Sequence, residues 1–152
     1  MSILRKVEIR AHALATEVPE RVEEAILNLF PESVQKSITF NRSETEAHHG
    51  YRILILETKI KKKKHCQQTL VHLLEALSKS DKTFLMKSIR YRIDDRCKFY
   101  LRIDKQQAYL GRVELAKSSD MIRIQFDYIN YTGCDPQEII HIISDIMHKA
   151  ES

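Results

Sequence analysis

Glycine, proline and tryptophan are scarce in this chain of 152 residues, which has 3 Gly, 3 Pro and no Trp. So few glycines and prolines exclude a collagen-like repeat, a Pro/Gly-rich linker and long low-complexity tails. Long apolar runs are missing too, and none approaches the ~20 residues that a membrane-spanning helix needs. Charges come too early in the first residues for a secretory signal peptide. We therefore expect a single domain over residues 1–152, in the cytoplasm and without a membrane partner.

Cysteine is also rare, and its spacing argues against a disulfide framework. The three cysteines lie far apart and form no Cys-x-x-Cys motif. This number and spacing of cysteines is typical of a cytosolic protein whose thiols are reduced. Cys66 and Cys97 fall on apolar stripes, so we expect both to be buried, unreactive thiols, and we expect no disulfide bonds.

Positive charge is present in excess and is concentrated in one segment. The net charge is +4, from 25 Lys and Arg against 21 Asp and Glu. Residues 57–105 hold 14 Lys and Arg against 6 Asp and Glu, whereas the rest of the chain holds 11 against 15. A concentrated positive field attracts polyanions. The alternative is a solvated lysine-rich surface that binds nothing.

Apolar periodicity divides the chain into strands and helices. Ile3 to Ala11 alternates apolar and charged residues, as a half-buried strand does, and Asp135 with Pro136 marks a helix start. A polar loop is predicted from Asn41 to Gly50, and Phe84 is predicted to face inward. The predicted strands cover residues 3–11, 34–40, 51–60, 97–103, 109–115 and 121–131. The predicted helices cover residues 19–30, 62–77, 81–92 and the segment from 136 onward.

The fold class follows from these patterns. Half-buried strands and amphipathic helices indicate an α+β fold, a single two-layer domain with a mixed, mostly antiparallel sheet and helices packed on one face. The second face of the sheet is then polar or partly open. If Arg10, Arg102 and Arg123 share that face, it is basic.

Five lysines lie within six positions where a predicted strand meets a predicted helix: Lys59, Lys61, Lys62, Lys63 and Lys64. Helix N-termini favour acidic residues because of the helix dipole, so lysines oppose that preference. Ammonium groups and free N–H groups can together hold a phosphate. We favour phosphate binding over a merely solvated junction, because the lysines lie in the basic segment.

A second basic group follows in the sequence: Lys87, Arg90, Arg92, Arg96, Lys98, Arg102 and Lys105. Guanidinium groups are planar donors suited to phosphates and base edges. Tyr51, Tyr91, Tyr100 and Tyr109 could stack on bases, although tyrosines at element edges more often border the core. Contacts to the nucleic-acid backbone are the preferred interpretation.

The sequence contains few signatures of catalysis. The pair His48-His49 lies in a polar segment without a metalloprotease motif, and there is no Gly-rich phosphate loop, nucleophile elbow or evident nucleophile–base pair. Asp94 and Asp95 could bind Mg²⁺, but short aspartate side chains more often fix turns. We expect no catalytic residue, metal site or cofactor, and keep a metal-dependent nuclease using Asp94 and Asp95 as a minor alternative.

Two stretches resemble a known family. His49-Gly50 leads into Ile-Leu-Ile-Leu-Glu at 53–57 and the lysine-rich segment ending at His65, and residues 101–111 read Leu-Arg-Ile-Asp-Lys-Gln-Gln-Ala-Tyr-Leu-Gly. Together they resemble archaeal RNA-binding proteins described as predicted exosome subunits. The resemblance implies a fold similar to the ribosomal protein that binds 5S RNA, and a role in RNA metabolism beside the exosome. Lys105, Gln106 and Tyr109 match the family's motif positions, which could shape a corner or contact RNA.

The sequence therefore predicts a non-catalytic RNA-binding protein, accessory to RNA processing or degradation, that holds phosphates on a basic surface. The alternative is a protein-interaction adapter in an RNA-processing assembly. RNA and exosome or other RNA-processing proteins are the expected partners. The predicted RNA-binding residues are Lys59, Lys61, Lys62, Lys63, Lys64, Arg90, Arg92, Arg96, Lys98, Arg102, Lys105 and Tyr109.

Overall fold

The computed structural model describes residues 1–46 and 50–151, and within them five strands and six α-helices. A 3₁₀ turn at Ile89–Arg92 follows the fourth helix. The strands are β1 (Ile3–Ala13), β2 (Asn41–Glu46), β3 (Arg52–Ile60), β4 (Lys98–Asp104) and β5 (Met121–Ile129). The helices are α1 (Pro19–Leu27), α2 (Glu32–Gln35), α3 (Lys63–Ala76), α4 (Lys79–Ser88), α5 (Lys105–Tyr109) and α6 (Pro136–Glu151). The pair His48-His49 lies outside the described residues.

The five strands form one sheet in the order β2-β3-β1-β5-β4. All four pairings are antiparallel, so the sheet of the described chain lacks the parallel component that a mixed sheet would have. The α+β class is confirmed. The apolar run of β3 suits an interior strand, and β3 does lie between β2 and β1.

Helices cover one face of the sheet. The residues of β1, β4 and β5 that point to this face are buried, as Val7, Ile9, Phe99 and Ile124 illustrate. The helices face them with apolar stripes, and burial of each such side chain stabilises the fold by roughly 1.5–3 kcal/mol. The buried helical residues include Val22, Ile26, Leu70, Leu73, Leu74, Leu85, Ile139 and Ile143. No helix of the described residues is long and apolar enough to span a membrane.

Residues 34–46 differ from the prediction. The predicted strand at 34–40 is wrong, since Val34 lies in α2 and the backbone becomes a strand only at Asn41. The predicted polar loop from Asn41 is instead the edge strand β2, and all six of its residues are exposed. An edge strand with no buried face has no alternation of apolar and polar residues, so its sequence looks like that of a loop.

The predicted strand at 109–115 is also wrong. Residues 105–109 form α5, whose first turn is capped by Asp104: its carboxylate accepts a hydrogen bond of 2.9 Å from the Gln107 backbone N–H. Only Leu115 resumes strand-like pairing, in a single bridge to Ile103. The local capping bond overrides the apolar spacing of this segment.

Two side chains were predicted wrongly. Phe84 is 57% exposed rather than buried, with the guanidinium of Arg92 5.9 Å from its ring centroid. Cys97 and Cys134 form a disulfide, which contradicts the expectation of three reduced thiols. Cys66 is a buried free thiol as predicted, and burial raises its pKa to about 11.

Candidate nucleic-acid interface

Three arginines form a row across the face of the sheet opposite the helices. Arg102 of β4 is the cross-strand partner of Arg123 of β5, and Arg123 is in turn the partner of Arg10 of β1. Their Cβ atoms therefore succeed one another at the spacing of neighbouring strands, about 4.5–5.5 Å. The sequence expectation that these three residues share a face is confirmed. We call this set the arginine row.

The members of the arginine row differ in their partners. Arg10 donates to Glu57 through Nε and Nη2, at 3.2 and 2.9 Å. Arg123 donates to the Gln125 side chain at 3.0 Å, and its guanidinium carbon lies 5.3 Å from the ring centroid of Tyr100. Within the described chain, no carboxylate lies at ion-pair distance from Arg102 or Arg123. Two of the three charges are therefore uncompensated by an acid.

Tyr100 is held in place beneath Arg123 by Asp94. The Asp94 carboxylate accepts hydrogen bonds from the Tyr100 hydroxyl and from the backbone N–H groups of Arg96 and Lys98, at 2.9 to 3.1 Å. Partial burial works to raise the pKa of Asp94, but these donors and the charge of Lys98 outweigh it and hold the pKa below its usual value. Asp94 therefore fixes the turn, the interpretation that the sequence favoured.

The remaining arginines of the second basic group lie near the β4 edge of the sheet. Arg92 is half-buried, and its Nε donates to the Ser88 hydroxyl at 2.9 Å. Burial, and then the positive charge of Arg102, lower the pKa of Arg92. Arg90 and Arg96 are exposed, and Lys98 is partly exposed. The 3₁₀ turn and β4 thus add positive charge beside the arginine row.

The lysine junction, residues 59–64, lies at the end of β3. Lys61, Lys62, Lys63 and Lys64 are all exposed, and no carboxylate of the described residues pairs with them. Lys62 is the N-cap of α3, whose first turn contains no acidic residue and no side-chain cap. Lys59 lies on the open face with Nζ 3.7 Å from Glu57 and 3.9 Å from Glu8. Lys61 to Lys64 thus form an exposed cationic surface without an acidic partner among the described residues, whereas Lys59 is paired.

Lys105 is held by contacts within the fold. Its side chain is nearly buried, and Nζ contacts Glu17 at 2.9 Å, Asp120 at 2.8 Å and the His12 carbonyl oxygen at 2.9 Å. An ammonium with three such partners is not free to meet a phosphate. The contacts of Lys105 favour the interpretation that the motif shapes the corner after β4.

Two neighbouring cavities flank this corner. The larger, of about 690 Å³, opens on the sheet face beside Arg10 and Arg123. The smaller, of about 240 Å³, lies toward α1 and has Tyr109 in its wall. Lys105 and Gln106 belong to both, so residues of the family motif separate them.

Arg10 and Arg123 were not among the predicted site residues, although the sequence does carry a signal for them. Each alternates with buried neighbours along its strand, which assigns it to the polar face. The signal that they are adjacent is absent from the sequence, because β1 and β5 are more than 100 residues apart and their register depends on the whole sheet. Among the described residues, no group of three potential ligands is arranged to hold a metal ion.

The structure defines a two-layer α+β protein whose antiparallel sheet has one face covered by helices and carries three arginines on the other. The chain belongs to the family described as RNA binding, whose model matches residues 6–128. An RNA-binding protein of Pyrococcus abyssi is 38% identical over 120 residues, which cover 78% of each chain.

Solved structures share the fold. A DUF54 protein of Archaeglobus fulgidus superposes with a TM-score of 0.80 at 28% identity, covering 94% of this chain and 99% of that one. A DUF54 protein of Methanothermobacter thermautotrophicus gives 0.76 at 22% identity, over 95% and 98%. At 22% identity, the similarity to this second structure concerns the fold alone.

Proposed function

We propose that this protein is a non-catalytic RNA-binding protein that holds the phosphate backbone with the lysine junction and the arginines near β4. The observation that carries the proposal is the cationic surface without counter-charge: Lys61 to Lys64, Arg102 and Arg123 lack carboxylate partners in the described chain. Membership of an RNA-binding family supports RNA as the polyanion. Phosphate contacts of this kind are independent of base sequence and are weakened by salt.

The proposed cellular role is accessory to RNA processing or degradation in the cytoplasm, in association with the exosome. This cellular role is what the resemblance to archaeal predicted exosome subunits implies. The same resemblance implies a fold similar to the ribosomal protein that binds 5S RNA. The phosphate-binding set that we propose is Lys59, Lys61, Lys62, Lys63, Lys64, Arg90, Arg92, Arg96, Lys98 and Arg102. Lys105 is left out because its charge is already partnered.

A second candidate is a protein-interaction adapter whose basic region faces an acidic partner. Tyr91 and Tyr131 favour it, since they are 92% and 87% exposed and exposed aromatic side chains are common in interfaces. A salt titration of RNA binding by fluorescence anisotropy separates the two. The RNA-binding proposal predicts that log affinity falls linearly with log salt, whereas an adapter gives weak RNA affinity and binds its protein partner.

A further inference from the structure

We propose that the arginine row and the larger cavity form one site for single-stranded RNA, with phosphates on the row and an unpaired base in the cavity. This proposal rests on the proposed function and adds to it the strandedness of the RNA and the place where a nucleotide binds. The row and the cavity are continuous, because Arg10 and Arg123 belong to both.

The cavity has the size and chemistry for a nucleobase. Its volume of about 690 Å³ lies within the usual range for small-ligand sites. Leu14 and Met121 give it apolar surface, and the Gln106 amide and the His12 side chain give it hydrogen-bonding groups. Gln106 is oriented by a hydrogen bond of 3.0 Å from its Nε2 to Asp120.

The lysine of the cavity wall is already paired, so it is not available to a phosphate. One ammonium, that of Lys105, meets two carboxylates there, those of Glu17 and Asp120. The carboxylates of Glu17 and Asp120 can accept hydrogen bonds from a base amino group or a ribose hydroxyl. The phosphates on either side of the nucleotide would then meet Arg10 and Arg123, which also line the cavity.

Arg123 is arranged to contact a base as well as a phosphate. Its guanidinium lies over Tyr100 on one side, at 5.3 Å. Bases of single-stranded RNA stack on guanidinium planes and aromatic rings. In a duplex the bases are paired and stacked within the helix, so none could enter the cavity without being flipped out. The site therefore selects single strands.

The test is a comparison of two RNAs and three variants by fluorescence anisotropy. The RNAs are a labelled single strand of mixed sequence and a hairpin whose stem contains the same strand. The variants are R102Q/R123Q for the row, Q106A for the cavity, and R21Q/K36Q as a control that removes the same charge from exposed positions in the helical layer. Circular dichroism checks that each variant folds.

We expect the wild-type protein to prefer the single strand. R102Q/R123Q should weaken single-strand binding about tenfold or more, and flatten the salt slope by about 0.7 for each lost phosphate contact. Q106A should weaken binding with an unchanged salt slope, because it removes a base contact only. R21Q/K36Q should change the affinity by less than about twofold.

Four outcomes would overturn the proposal. If the hairpin binds as tightly as the single strand, or if R102Q/R123Q binds like the control, RNA binding stands but this site is wrong. If Q106A binds like the wild type, the base is not in the cavity. If the wild-type protein binds neither RNA, the proposed function fails together with the site.

Discussion

Arg102 and Arg123 are direct cross-strand partners on the open face of the sheet, and neither guanidinium has a carboxylate at ion-pair distance in the described chain. Like charges in this position destabilise a sheet by about 0.2–1 kcal/mol. This repulsion opposes folding, and the binding of a polyanion that we propose would relieve it.

The first prediction concerns this repulsion. Arg102→Gln should raise the free energy of unfolding by about 0.2–1 kcal/mol, because it removes one of two facing positive charges. The same change should weaken RNA binding. Urea unfolding at low salt measures the gain, which should shrink as salt is added. A loss of stability would mean that Arg102 has a structural role.

The second prediction concerns the lysine junction. Changing Lys61 to Lys64 together to Gln should weaken binding to every RNA tested and flatten the salt dependence by about 0.7 for each phosphate contact to a single strand. Stability should stay within about 0.5 kcal/mol, since these lysines are exposed and face a helix N-terminus that disfavours cations.

A matched control removes four charges from exposed positions outside the two basic groups: R21Q, K36Q, K79Q and R112Q. If the junction variant folds and binds RNA with the affinity and salt slope of the wild type, the lysine junction is only a solvated surface. The arginines would then carry the binding.

The third prediction concerns Lys105, which the sequence placed among the RNA contacts. Lys105→Met should lower the free energy of unfolding by about 1.5–3 kcal/mol, the usual contribution of hydrogen bonds to charged groups. The loss arises because Glu17 and Asp120 keep their charges but lose their cationic partner. Chemical denaturation measures it, with the exposed Lys36→Met as control. Equal stability of the two variants would contradict the structural role.

The fourth prediction is a pH dependence from Asp94. Its folded pKa lies below the unfolded value of about 3.9, so its contribution to stability is present above that pH and is lost as pH falls through the lower folded pKa. Asp94→Asn should therefore be less stable at pH 7, and the difference from the wild type should narrow below about pH 4. Thermal unfolding from pH 7 to 2 tests this. A difference that stays constant over the range would rule out the charged form as the stabilising one.

The fifth prediction concerns the disulfide between Cys97 and Cys134. Unfolding without reductant should expose one titratable thiol per chain, that of Cys66. Breaking the bond in C97S/C134S should cost about 3–4 kcal/mol, because a loop of 37 residues is no longer closed in the unfolded chain. Three thiols in the oxidised, unfolded protein would show that the bond does not form.

Elements with an apolar face could be predicted from the sequence. The alternation of β1 and β4 and the stripe of α3 identify the buried residues because burial imposes a period on the chain. The edge strand β2 was not predicted because it is defined by its pairing to β3. The helix α5 was not predicted because it is defined by the cap from Asp104. Neither feature produces an apolar period in the sequence.

The candidate site could be predicted only in part, because only some of its residues are neighbours in the sequence. The lysine junction is continuous in sequence, so its charge is visible there. The arginine row combines residues from β1, β4 and β5, and only the register of the sheet makes them neighbours. The disulfide was missed because spacing alone gives no sign that Cys97 and Cys134 meet.

Ultraviolet crosslinking of the wild-type protein to a labelled single-stranded RNA, with mapping of the crosslinked peptides, tests the central claim most directly. The account predicts crosslinks in peptides from the lysine junction and from the strands of the arginine row, above all at Tyr100, and a decrease of all of them as salt rises. Crosslinks confined to the helical layer, or none at low salt, would contradict it.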